Sequence, residues 1–375
     1  MDLGKGTKMT AFASYQAMDA TLNKDSTAAT ILTTSYHRTA TEMAKKNNLH
    51  ALKTGGSLRY VNNGIHLGLH ALYVHLDRVL KPNTSALYRQ HYPQGQDFLN
   101  ASLDYGLVRP RLTLSGETAL DKSGHLATIN SASVRLGDGL NIMALQRFYS
   151  YGYSSLDAQS YSDGGKVQNE SGIYLGLSWQ PSPSFRLAAY TDYAYFAWAR
   201  YQVSQSSYSW DNLMQATWLR RNWTFGARYR YRLRQRDSED KDVLTNRMEH
   251  RWRLSAEYAG DGGWGSRTQL DGGYCAYAEG EWGTMISESL SYTCRWLRLN
   301  AGIGYFHTDS YDSRIYLYER GPLYTYSMSS FYGEGIRYWL MARVNIGQRL
   351  MLTAKVGMTD YFDRTTVGSG YQQVN

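Results

Sequence analysis

Along most of this chain, apolar and polar residues alternate one by one. The clearest stretch is 223–235, WTFGARYRYRLRQ. Its odd positions carry Trp223, Phe225, Ala227, Tyr229, Tyr231 and Leu233, and its even positions carry Thr224, Gly226, Arg228, Arg230, Arg232 and Arg234. A strand throws successive side chains to opposite faces, so the aromatics share one face and the four arginines the other. A soluble sheet accommodates such a strand once, at its surface. Its repetition along a whole chain predicts lipid on one side of the sheet and water on the other.

The same alternation predicts strands at 7–15, 56–61, 65–73, 99–107, 111–120, 126–136, 140–151, 173–179, 185–195, 213–219, 223–235, 247–258, 267–277, 285–296, 300–306, 336–346 and 350–358. That is about 17 strands of a length that crosses a bilayer at a tilt. In 140–151 the phase stays open, because Met143 and Leu145 break the alternation. Residues 17–48 read as a long polar stretch in which the Glu42…Lys45-Lys46 piece can form a helical turn.

Connections alternate in kind. Short turns rich in Gly, Asn, Asp and Pro fall at 62–64, 109–110, 137–139, 181–184, 221–222, 261–263 and 347–348. Longer polar loops fall at 17–48, 78–97, 154–170, 197–209, 236–246 and 307–330. Short periplasmic turns opposite longer external loops are the habit of bacterial barrels. The expected fold is therefore all-β, a transmembrane antiparallel up-and-down β-barrel, in one domain spanning 1–375, in the bacterial outer membrane.

Composition sharpens this picture. The chain has 375 residues, 33 tyrosines, only 6 prolines and a net charge of +8. Tyrosine suits both strands and membrane interfaces. Mean hydropathy is −0.51, and no run approaches the roughly 18–20 apolar residues of a membrane helix. A barrel tolerates this, since only alternate residues meet lipid. The first residues lack the basic and apolar regions of an export signal, and the chain stops in a polar stretch, GYQQVN. The expectation is a barrel incomplete at both ends. Cys275 falls on the inward phase and Cys294 on the outward one, which predicts two free thiols.

The candidate chemistry is the inward basic wall. By alternation Arg59, Arg111, Arg135, Arg186, Arg228, Arg230, Arg232, Arg234, Arg247, Arg251, Arg253, Arg267, Arg295, Arg337, Arg343 and Arg349 point inward. The inward acids are Asp104, Glu117, Asp192, Glu249, Glu257 and Asp271. Such a wall favours an anionic solute or strand, although arginines paired across strands would also stiffen a barrel. The densest part is Arg228, Arg230, Arg232, Arg234, Arg247, Arg251 and Arg253, with Arg343 further along.

His66 and His70 stand roughly 13 Å apart on one face, too far to share a metal, and read as polar wall. Carboxylates at Asp163, Asp192, Asp211, Asp309 and Asp312, with His307, are candidates for a cation at the outer rim. His250 points outward without a placeable serine, so no hydrolytic pair, no enzyme and no cofactor are expected. Outer-loop tyrosines (Tyr149, Tyr151, Tyr153, Tyr311, Tyr316, Tyr318, Tyr324, Tyr326) suit sugar or base stacking, or simply self-packing in an aromatic girdle.

The phrases FYSYGYSSLDAQSYSDGGKVQNESGIYLG, YTDYAYFAWARYQVSQSSYSWDNLMQATW, GYFHTDSYDSRIYLYERGPLYTY and FYGEGIRYWLMARVNIG, within 36–373, resemble the barrel part of Bacteroidetes helix-hairpin-helix domain-containing proteins. The resemblance implies an export signal and a small helix-hairpin-helix module ahead of the barrel. Such modules elsewhere bind DNA backbones, which brings in DNA binding or uptake. No family catalytic residue carries over. The partners expected are outer-membrane lipid and lipopolysaccharide, an anionic solute or DNA, and a periplasmic protein, with no soluble oligomer. A pore or uptake barrel is the first functional reading; a non-conducting binding or structural barrel is the second.

Overall fold

The computed structural model describes residues 1–34, 36–277, 279–325, 328–347, 349–368 and 373. Gln348, Tyr326 and most of the polar C-terminal stretch therefore lie outside the described residues. The chain is one antiparallel meander.

In order its strands are β1 (Asp2–Gly4), β2 (Thr7–Leu22), β3 (Ala28–Leu32), β4 (Leu49–Asn62), β5 (Ile65–Leu80), β6 (Gly95–Val108) and β7 (Leu112–Asp121). Then come β8 (Leu126–Arg135), β9 (Leu140–Tyr149), β10 (Glu170–Ser182), β11 (Phe185–Phe196), β12 (Ser207–Arg220), β13 (Trp223–Asp237) and β14 (Leu244–Ala259). The last are β15 (Trp264–Ala276), β16 (Gly280–Thr293), β17 (Leu297–Thr308), β18 (Ile315–Tyr318), β19 (Met328–Phe331), β20 (Glu334–Ile346) and β21 (Leu350–Tyr361). Nineteen form one sheet, and β18 and β19 pair as a separate hairpin. Each of the expected strands is present. Apart from the short β1 and β3, every strand of the sheet pairs with its sequence neighbour.

The first loop holds more structure than its polarity suggests. Strand β2 runs on to Leu22, and β3 takes over as its partner where β4 ends, with Asp19 opposite Leu32 and Met18 opposite Leu49. The helical turn forms as α1 (Ala40–Met43). Thr39 caps it and Glu42 reaches back to the Thr39 N–H, a reciprocal capping box. Ala20, Ala28, Leu49, Leu76, Leu80 and Phe98 pack there as a buried cluster.

Side chains sort the two faces. Leu67, Leu69, Leu103, Leu175, Phe225, Tyr229, Leu254, Ile286, Leu340, Leu352 and Val356 are exposed on one face. On the other lie Arg147, Asp192, Asp211, Arg247, Gln269, Asp271 and Ser287, all buried. An unpartnered apolar belt around a polar interior is the signature of a barrel wall set in lipid.

The sheet is curved around that interior. Asp157 pairs with Lys53 on β4, at 2.6 Å, and Asp163 with Arg234 on β13, at 2.7 Å. Nine strand-to-strand steps separate β4 from β13, roughly 43 Å on a flat sheet. The six residues from Asp157 to Asp163 reach roughly 21 Å when fully stretched. Residues 150–169 are thus a chord across a concave face.

Strand β9 resolves the open phase. Arg147 and Tyr149 are buried inward, while Ile142 and Phe148 are exposed outward. Alternation fails there because Met143 and Leu145 share the inward phase with Arg147, while Gln146 falls on the outer face, where polar residues satisfy one another. Tyr105 donates to Asn130, Asn130 donates to Gln146 and Thr128, and Thr128 meets Thr118. Three predicted wall arginines are corrected: Arg111, Arg295 and Arg349 sit in short turns, where the two-residue period stops. Cys294 likewise falls in the bend after Thr293. Cys275 is buried on the inner face, and both thiols are free.

Candidate functional site

Strands β13 and β14 meet in a register that opposes like charges. Arg228 faces Arg253, Arg230 faces Arg251, and Arg234 faces Arg247; only Arg232 faces an acid, Glu249. Directly opposed like charges destabilise a strand pair, so carboxylates must come from elsewhere, and they come from both sides. Strand β12 supplies Asp211, which takes a two-pronged contact from Arg230 and lies 3.6 Å from Arg232. Strand β15 supplies Asp271, 2.6 Å from Arg253.

Two inward-folded segments supply the rest. The first is the chord 150–169. Its anchor is Arg147, fully buried, which donates to Glu170 and, through two nitrogens, to Asp192. Tyr161 also donates to Asp192, at 2.8 Å, while Glu170 accepts the Asp163 and Gly164 N–H groups. From this footing Asp163 reaches Arg232 at 3.3 Å, Arg234 at 2.7 Å and the Ser209 hydroxyl at 2.8 Å. Burial works against its charge, but Arg234, Ser209 and Arg232 outweigh it and hold the carboxyl at about 2.

The second segment, 309–331, contains the β18–β19 hairpin. Ile315, Leu317 and Phe331 pack onto Met285, Phe306 and Trp339 of the inner wall. Glu319 is clamped by Arg337 and Lys355, at 2.7 and 2.9 Å. Burial raises the Glu319 pKa, and the two cations more than reverse this. Asp312 reaches Arg247 at 3.0 Å, and the Arg314 and Tyr316 carbonyls accept from Arg251 and Arg253.

A cavity of about 460 Å³ opens along the β13–β14 seam under the β18–β19 hairpin. Nine arginines line it: Arg228, Arg230, Arg232, Arg234, Arg236, Arg247, Arg251, Arg253 and Arg314. Five carboxylates reach them, from Asp163, Asp211, Glu249, Asp271 and Asp312. Arg228 has no hydrogen bond or ion pair among the described residues, and Arg236 has only the Gln202 amide, at 2.8 Å. The cavity thus keeps a surplus of positive charge. Seven of the eight predicted wall arginines converge here. Arg343 does not: it stands on β20 opposite Arg298.

The rim carboxylates behave differently from the cation site their spacing suggested. Asp163, Asp192, Asp211 and Asp312 each face arginine, and among the described residues no cluster has the geometry to hold a metal. His66 and His70 share a partner after all. Asp104 of β6 lies between them, 3.3 Å from the His66 Nε2 and 2.5 Å from the His70 Nε2. His250 faces outward and meets the Tyr229 hydroxyl at 2.7 Å. The acids that define the site, Asp163, Asp211, Glu170, Asp312 and Glu319, were not read as wall residues, because most sit in loops or at strand ends, where periodicity is lost.

No family model matches the chain, and no curated protein matches it. Among solved structures it is similar to the outer-membrane OmpT of Vibrio cholerae, at 10% identity and a TM-score of 0.41, over 90% of this chain and 97% of that one. It is also similar to OpdK of Pseudomonas aeruginosa, at 12% identity and a TM-score of 0.38, over 83% and 93%. A third is the FrpB iron transporter of Neisseria meningitidis, at 11% identity and a TM-score of 0.38, over 94% and 69%.

Proposed function

We propose that this chain forms an outer-membrane barrel that takes up or passes small anionic solutes. It sits in the bacterial outer membrane with its long-loop end outside. The observation that carries the reading is the imbalance at the β13–β14 seam: nine arginines, five carboxylates, and Arg228 without a hydrogen-bond or ion-pair partner among the described residues. Positive charge in a confined, partly desolvated passage concentrates anions and repels cations. The two inward-folded segments narrow the passage beside the arginines, so a solute passes within contact distance of them.

The test is reversal potential in planar bilayers under a potassium chloride gradient. The expected result is a chloride-selective current that Arg228→Gln and Arg251→Gln shift toward cation selectivity. Silence, or a current indifferent to both substitutions, would overturn the reading. The second reading is a non-conducting barrel that engages DNA through a helix-hairpin-helix module. It draws on the sequence resemblance alone, and salt-sensitive retention of DNA by a non-conducting protein would favour it.

A further inference from the structure

A second cleft, about 310 Å³, lies among the long loops above the arginine cavity. Its walls come from three loops. Residues 81–94 bring Tyr88, His91 and Tyr92; residues 150–169 bring Tyr151 and Lys166; residues 197–206 bring Trp198, Arg200 and Tyr201. The loops are locked together by side-chain bonds. Gln168 donates to the His91 carbonyl, Trp198 to the Leu87 carbonyl, and Asn169 exchanges two bonds with the Trp198 backbone. The cleft is therefore a built feature of the outer end.

Its chemistry is aromatic and cationic together. Tyr151 and Trp198 stack at 5.7 Å, His91 stands edge-on to Trp198, and Tyr88 is edge-on to both Tyr92 and Tyr201. Packed this way, the rings present edges and hydroxyls and leave no open sandwich slot for a planar base. Among the described residues the charged groups lining it are Lys166, Arg200, Arg234 and Arg236, of which Arg234 is already paired with Asp163. The buried nitrogens His91 Nε2, Arg200 Nε and Arg234 Nε have no hydrogen-bond partner among the described residues. Arg234 and Arg236 also line the arginine cavity, so the two spaces adjoin.

We infer that this cleft is a binding site for a carboxylate-bearing sugar, an acidic saccharide held before it reaches the arginine seam. The Tyr92, Tyr151 and Tyr201 hydroxyls and the unpartnered His91 Nε2 suit the hydroxyls of a sugar, and Lys166, Arg200 and Arg236 suit its carboxylate. An aromatic acid would instead need a smooth apolar slot, and the Phe196 ring that could form one is covered by Arg200 at 3.4 Å. The inference rests on the anionic reading of the passage, since the spaces share two arginines.

The test is calorimetric titration of the intact protein in detergent with trigalacturonate, its methyl ester, benzoate, adenosine monophosphate and sodium sulfate. The expected result is saturable binding of trigalacturonate, at least tenfold tighter than any other compound. Tyr201→Ala and Lys166→Gln, both at exposed loop positions, should each weaken it at least fivefold while the folded band on a cold gel persists. The inference fails if trigalacturonate does not bind, if its methyl ester or another compound binds as well, or if both variants bind normally. Chloride selectivity on the same preparation separates the two claims. Selectivity without saccharide binding removes the cleft alone; saccharide binding without selectivity removes the pore alone.

Discussion

Arg234 donates to Asp163 across 2.7 Å, and this one contact joins a wall strand to a loop 71 residues earlier in the chain. It neutralises an arginine that would otherwise face only Arg247. It also fixes how far residues 150–169 lean into the passage.

Asp163→Asn should release both effects. Arg232 and Arg234 lose their shared carboxylate, and the chord loses its far anchor. Larger unitary conductance and stronger anion selectivity are expected in planar bilayers. A smaller or unchanged current would show that the loop does not bound the passage.

Acid should act at the same place. The Asp163 carboxyl sits at about 2, below its ordinary 3.8. A depressed carboxylate contributes stability that is complete above about 3.8 and lost as pH falls through about 2. Its contribution at neutral pH is on the order of 2 kcal/mol. Pepsin cleavage within 150–169 should therefore rise between pH 4 and pH 2, and the rise should be absent in Asp163→Asn.

Arg147→Met should undock the chord at its near end. Glu170 and Asp192 would be left buried without their cation, which costs roughly 3–5 kcal/mol. Hydrogen exchange at 161–165 should accelerate strongly while exchange in β13 and β14 holds. Unaltered protection at 161–165 would sink this account of the anchor.

Glu288 concerns the outer face. It lies between Ile286 and Leu290, both exposed to the lipid side, and accepts from Thr268 at 2.5 Å. A carboxylate at that depth is unfavourable in a bilayer. Glu288→Leu should stabilise the barrel by roughly 1 kcal/mol in denaturant unfolding from vesicles. Destabilisation would mean that Glu288 has a role beyond its Thr268 contact.

The barrel wall was legible because lipid and water impose a strict period of two. The WTFGARYRYRLRQ stretch showed its faces without any structure, and β14 followed in phase. Legibility ended where another element supplies the partner. Nothing near Arg232 in sequence announces Asp163, and nothing near His66 and His70 announces that Asp104 stands between them. The Asn130–Gln146 contact hid the phase of β9 for a related reason, since polar groups that satisfy one another can occupy the lipid face. Residues 307–330 read as a tyrosine-rich loop, yet Ile315, Leu317 and Phe331 sit at hairpin spacing and pack inward.

The opposed arginines of β13 and β14 also bear on the order of assembly. This hairpin is a local pairing, joined by 238–243 alone, and local pairings usually settle early. Here its charges are balanced by Asp163, which the ribosome makes earlier, and by Asp312, which it makes later. The seam can reach its final form only after chain on both sides has arrived. A strand pair that local contacts favour early is thereby one that electrostatics completes late, and an arginine-rich hairpin waiting for distant acids is a ready point of hold for an assembly chaperone.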